Sequence, residues 1–132
     1  MNEQGLETVQ SRYSVKETIN RLSQSLKTAG ITVFAHIDHA ANAQEAGLSL
    51  RPTDLLIFGN PKAGTPLMQD KPTSGLDLPL KALAWQDEEG KVWLTYNDTA
   101  WVASRHQLTD KSEGFVKAIG QGLRKLVTDA TT

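Results

Sequence analysis

Cysteine is absent from this chain of 132 residues. That absence removes disulfide staples, thiolate nucleophiles and structural cysteine–zinc sites together. Positive charge is not in surplus either: 14 Lys and Arg against 15 Asp and Glu leave a formal net charge of −1. Contact with a nucleic-acid backbone draws on a basic excess, so no nucleic-acid partner is expected. No apolar run approaches the ~20 residues that span a bilayer, and no membrane partner is expected. The first residues, Met-Asn-Glu-Gln-Gly-Leu-Glu, offer neither the basic nor the apolar stretch of a secretory signal. A reducing compartment suits a cysteine-free chain, and a cytoplasmic location is the expectation. Aromatics are only 6% of the chain, and the tryptophans Trp85, Trp93 and Trp101 are expected in core and interface.

What remains is an ordinary globular composition, 39% hydrophobic and 22% charged. It is one domain, long enough to bury roughly two-thirds of its unfolded surface. Residues 5–13 alternate and read as a first strand. Ser14-Val-Lys-Glu17 is a capping box opening a helix, whose stripe is Val15, Ile19, Leu22, Leu26 and Ala29 and whose stop is Gly30. Residues 31–38 form the next strand, with Ile31, Val33, Ala35 and Ile37 toward the helices and Phe34, His36 and Asp38 on the other face. Asp38 is a cap for a short helix over residues 40–46. Residues 54–59 are apolar on both sides, as an internal strand requires. Residues 80–86 and 91–97 flank the acidic, glycine-closed turn Asp87-Glu-Glu-Gly90 and predict a hairpin. Residues 101–104 suit a short edge strand, and residues 110–127 a last helix with Phe115, Ile119, Leu123 and Leu126 as its stripe.

These elements give an α+β domain, two long amphipathic helices on one face of a five- or six-stranded, mainly antiparallel sheet. Simple alternation leaves Phe34, His36, Trp85 and Trp93 on the open face, and a homodimer is the expected way to cover it.

Between the third and fourth strands, residues 60–79 show neither helical nor strand period and hold four of the five prolines. So long a connection in a small domain points to binding, a lid or an arm. Gly59-Asn-Pro-Lys-Ala-Gly-Thr65 is not a Walker loop, because Lys62 precedes the second glycine and Pro66 follows the threonine. Backbone N–H groups there, with Asn60, Lys62 and Thr65 beside them, suit an anion-binding nest. His36-Ile-Asp38-His39 and His106 hold the imidazoles, but without metal-site spacing, and no metal is expected. Tyr96, Asn97 and Asp98 end a hairpin strand with polar side chains suited to orienting a substrate or forming a turn.

Four blocks taken together carry a resemblance: His36-Ile-Asp-His-Ala; Leu56-Ile-Phe-Gly-Asn-Pro-Lys with Gly64-Thr-Pro-Leu-Met; Leu76-Asp-Leu-Pro-Leu-Lys-Ala; and Val92-Trp-Leu-Thr-Tyr-Asn. In order and spacing they resemble the prokaryotic family known as domain of unknown function 302. The resemblance implies a compact α+β domain with a tendency to dimerise, and it implies no activity, cofactor or site residue.

The functional expectation is therefore a homodimeric module for a small polar or anionic molecule. Its site is placed where Asn60, Lys62 and Thr65 meet the strand ends at His36, Asp38, His39 and at Tyr96, Asn97, Asp98. The alternatives are an enzyme using that cleft with His36 or Asp38 as base and Lys62 holding an anion, and an interaction module whose long loop is a dimerisation arm. No cofactor is indicated.

Overall fold

The Ser14 hydroxyl accepts the Glu17 N–H at 3.1 Å, and from this cap α1 (Val15–Thr28) runs to Ala29. Its stripe is the centre of the core: Ile19 is 2% exposed, and Leu22 and Leu26 not at all. The computed structural model describes residues 4–132. Around α1 the chain arranges β1 (Leu6–Ser11), β2 (Thr32–Asp38), α2 (His39–Glu45), β3 (Thr53–Gly59) and α3 (Pro61–Asp70). A 3₁₀ turn (Pro72–Leu76) then leads to β4 (Leu80–Gln86), β5 (Val92–Asn97), α4 (Thr99–Arg105) and α5 (Glu113–Thr131). The five strands lie in the order β1-β5-β4-β3-β2, each pair antiparallel. The long helices α1 and α5 pack against each other and onto one face of this sheet, as the stripes of Ile19, Leu22 and of Leu123, Leu126 require.

The hairpin is where the sequence places it. Asp87 accepts the N–H groups of Glu89 and Lys91 through one oxygen and the Trp93 indole N–H through the other, each at 2.9 Å. Those donors, Trp93 foremost, hold the carboxyl below the usual carboxylate range. Gly90 takes the positive φ, +84°, that closes the turn.

Four expectations are corrected. Residues 101–104 are not an edge strand. Asp98 Oδ1 accepts the Ala100 N–H at 3.0 Å and starts α4, which packs on α5. Residues 60–79 are not structureless: Asn60 Oδ1 caps the Lys62 N–H at 3.0 Å, Pro61 stands at the first helical position, and α3 follows. Pro66 reads as a breaker, yet here it removes only one backbone donor inside a helix that continues to Asp70. Residues 110–112 precede the last helix, which begins at Glu113 and runs on to Thr131; Phe115 in its stripe is 42% exposed.

The last correction concerns faces. Val33 lies opposite Phe58 but Ala35 opposite Ile57, so Phe34 has no partner and β2 carries a bulge. The extra residue inverts the alternation after Val33. His36 now stands opposite Leu56 and Asp38 opposite Asp54, both buried core-side positions of β3, so His36 and Asp38 face the helices. Ala35 and Ile37 turn to the open face, which they share with Leu55, Ile57, Leu83 and the stacked pair Trp85 and Trp93, centroids 6.4 Å apart.

Candidate functional site

The bulge, the end of β3 and the short helix after it leave a cavity of about 540 Å³. Phe58 and Leu80 of the sheet form its floor, and Ala118, Ile119 and Gly122 of α5 form one wall. The other wall is α3, through Ala63, Gly64 and Met68, while Phe34, 52% exposed, lies at the rim beside β2. Space persists because the facing residues are small. A Cβ at Gly122 would meet nothing within 4 Å, and one at Gly64 would come no nearer than 3.8 Å to Leu78. Glycine inside a helix costs about 1 kcal/mol relative to alanine, so the vacancy beside α5 is kept against helix stability.

The lining holds two polar side chains, Asn60 and Thr65, and no charged one. Lys62 is not part of it. The amides at the start of α3 are already engaged: Asn60 Oδ1 takes Lys62 N–H, and the Asn60 carbonyl takes Ala63 N–H and Gly64 N–H at 2.9 Å each. Pro61 has no N–H. The nest expected from the sequence is therefore filled by Asn60 itself. Beside the cavity, a small pocket of about 20 Å³ shares Leu78, Leu80, Ile119 and Leu123 with it and is bounded by Asp77, Lys81, Asn97 and Thr99. The Thr99 hydroxyl is buried there without a partner.

The strap of residues 61–79 is fastened to its own chain by two carboxylates. Asp70 accepts the Thr109 N–H at 2.7 Å, the Thr109 hydroxyl at 2.9 Å and the Ser112 hydroxyl at 2.7 Å. Asp77 receives Arg105 at 3.0 and 3.1 Å and the buried His106 Nε2 at 2.6 Å, while His106 Nδ1 meets the Thr73 hydroxyl at 3.0 Å. His106 is thus a strut between the strap and α4.

The residues expected to converge separate into groups. Gly59 lies opposite Thr32 and Asp54 opposite Asp38, five residues apart along β3, which is about 17 Å of strand. His36 and Asp38 belong to a charged cluster away from the cavity. Lys16 Nζ reaches Asp38 at 2.6 Å and Asp54 at 2.8 Å, and His36 Nε2 meets the same Asp54 oxygen at 2.7 Å. Asp54 is fully buried and its other oxygen has no partner. Lys16 is held above its usual range by Asp38 and then Asp54, and Asp38 below its range by Lys16 and then the Ala41 N–H. His39 is the first residue of α2. Tyr96 is buried in the core, where desolvation raises its hydroxyl above the usual range, and Asp98 caps α4. Among the described residues no three potential ligands are grouped to hold a metal ion. Sequence reasoning missed the cavity residues of α5; the small residues Ala118 and Gly122 on an otherwise apolar stripe are the signal that marks them.

A five-stranded antiparallel sheet with its long helices on one face and a capped strap after the third strand defines an α+β domain of one particular family. The chain belongs to the family described as domain of unknown function DUF302, matched over residues 7–130. The fold is shared with the crystal structure of an uncharacterized conserved DUF302 protein from Bacillus stearothermophilus. The TM-score is 0.85 at 23% identity, covering 97% of this chain and 98% of that one. Two curated relatives are named fluoride-specific ion channel FluC 1, from Brucella suis biovar 1 (strain 1330) and Brucella abortus biovar 1 (strain 9-941). Each is 58% identical over 118 residues, which are 89% of this chain but 46% and 44% of the relative. The chain therefore spans less than half the length of these relatives. Among its described residues no helix is long and apolar enough to cross a membrane.

The Asp70 clamp yields a test of how the cavity wall is held. Ser112 first, then Thr109, keeps the Asp70 carboxyl below the usual carboxylate range. Its contribution to stability is therefore complete above the unfolded value of about 3.9 and is lost as pH falls through the lower folded value. Asp70→Asn is expected to lower the melting temperature at neutral pH and to flatten the decline below about pH 4. Hydrogen exchange should quicken in α3 while the sheet amides keep their protection. Unchanged exchange in α3 would show that the clamp does not secure the strap.

Proposed function

We propose that this domain is a binding module for a small molecule, held in the cavity between α3, α5 and the ends of β2 and β3. The observation that carries the reading is the cavity itself. A volume of about 540 Å³ lies within the range of small-molecule sites, and its lining is mostly apolar with a few polar groups, Asn60 and Thr65. The unfilled position at Gly122 supports it, since a larger residue there would both favour the helix and close the space.

The relatives supply a context. In them the matched stretch is less than half of a protein named as a fluoride channel, and this chain has no membrane-crossing helix among its described residues. We infer that the domain serves there as an attached module whose occupancy bears on the rest of the protein, not as the pore. Fluoride itself, a small and strongly hydrated anion, finds no cationic side chain in an apolar lining of this kind.

Homodimerisation is the second part of the proposal, and the open sheet face supports it. Leu55, Ile57, Leu83, Trp85 and Trp93 are half-buried. Both indole N–H groups are satisfied inside the chain, by Thr95 and Asp87 at 2.9 Å, so the rings offer apolar surface without an unmet donor. The strap is a poor candidate for the arm, because Asp70 and Asp77 tie it to its own chain.

Two measurements test these readings. N-phenyl-1-naphthylamine, a neutral fluorescent probe, is expected to bind saturably at one site per chain. Gly122→Phe should abolish that signal without lowering the melting temperature, while Gly122→Ala should gain about 0.5–1 kcal/mol in stability. A Gly122→Phe variant that binds the probe as well as wild type would move the site elsewhere. For the dimer, light scattering at micromolar protein should give twice the 14.4 kDa chain mass, and Trp93→Glu should give the monomer. A monomeric mass for the wild type would refute the sheet-face interface.

A further inference from the structure

The ligand's chemical class follows from which polar groups around the cavity are spent and which are not. Anions are bound by cationic side chains or by free backbone N–H groups. No cationic side chain lines this cavity. Lys62 lies outside the lining, and the Lys62, Ala63 and Gly64 amides at the start of α3 are all taken by Asn60. Cations are bound by carboxylates, and none lines the cavity; Asp70 is engaged by Thr109 and Ser112, and Asp77, which borders the small pocket beside it, by Arg105 and His106. A charged group buried against the apolar floor of the cavity would lose its water and meet no charged side chain in the lining, which is a costly exchange.

What the cavity lining itself does offer is neutral hydrogen bonding. Thr65 and Asn60 stand in the lining. The Thr99 hydroxyl is buried and unpartnered, in the small pocket that shares Leu78, Leu80, Ile119 and Leu123 with the cavity and is also bordered by Asp77 and Lys81. We propose that the cavity selects an uncharged ligand, an apolar body carrying one neutral hydrogen-bonding group such as a hydroxyl, and rejects the corresponding carboxylate. This inference rests on the reading of the cavity as a ligand site and adds the sign of its selectivity. It also departs from the anion expected from the turn sequence, because that turn satisfies itself.

The experiment is displacement of N-phenyl-1-naphthylamine from the wild-type chain by matched competitors at neutral pH. They are 1-octanol, octanoate and inorganic phosphate. 1-Octanol is expected to displace the probe at concentrations at least about tenfold lower than octanoate, and phosphate not at all. Gly122→Phe should remove the response to 1-octanol together with that to the probe. Thr99→Val should weaken 1-octanol more than it weakens the probe, which carries no hydroxyl. Octanoate competing as well as or better than 1-octanol, with Gly122→Phe still blocking both, would leave the cavity as the site and overturn its preference for a neutral ligand. A probe signal that never saturates, or that survives Gly122→Phe, would overturn the cavity reading and this inference with it.

Discussion

A strand of alternating side chains can change which face it presents only by adding a residue, and β2 does so at Phe34. Without the bulge, Ala35 and Ile37 would continue the apolar row begun by Val33, and His36 and Asp38 would point to the open face. With it, the two polar residues come under the start of α1, where Lys16 bridges Asp38 to the buried Asp54. The unpaired Phe34 is left at the rim of the cavity, close enough to Gly59 that a Cβ there would lie 3.7 Å from its ring. One inserted residue thus separates a charged cluster at one end of the sheet from an apolar space at the other. The two features are not parts of one active cleft, and the separation follows from register.

The charged cluster carries a cost that its neighbours offset. Asp54 is fully buried, and a carboxylate in that position is tolerable only with donors on it. His36 and Lys16 both reach the same oxygen, and the Lys16 side chain is 59% exposed, so the cluster lies at the edge of the solvent. That arrangement accounts for His36 and Asp38 as a solution to burial, which is the simpler account of an imidazole beside a carboxylate. The cavity end runs the opposite way, with stability given up at Gly122 and a wall that must be clamped by Asp70 and Asp77 to stay in place. Proteins commonly trade stability for function in this manner.

Much of this fold was legible in the chain because local signals agreed with one another. The Ser14 cap, the Leu22–Leu26 stripe and the Asp87–Gly90 hairpin each combine a pattern with a boundary residue, and all three stand where the pattern puts them. The misreadings have one physical source: contacts between residues distant in sequence. The bulge at Phe34 exists only against β3, so alternation within β2 could not reveal it. Helix α3 has no regular apolar period because one of its sides borders an open cavity, and Gly64 and Pro66 masked it further. Trp101 and Val102 look like strand residues by propensity, but Asp98 caps them into a helix that packs on α5. Of the candidate site, Asn60 and Thr65 were found from the turn. Gly122 and Ala118 were not, because a small residue on a helix stripe acquires meaning only when the space in front of it is known.

Where the neutral probe sits is the central issue, since the chain offers two apolar surfaces, the cavity and the open sheet face. Nuclear Overhauser contacts between bound N-phenyl-1-naphthylamine and assigned methyl groups separate them directly. The account predicts contacts to Ala63, Met68, Ala118 and Ile119, which line the cavity. Contacts instead to Leu55, Ile57 and Leu83, on the face that carries Trp85 and Trp93, would contradict it.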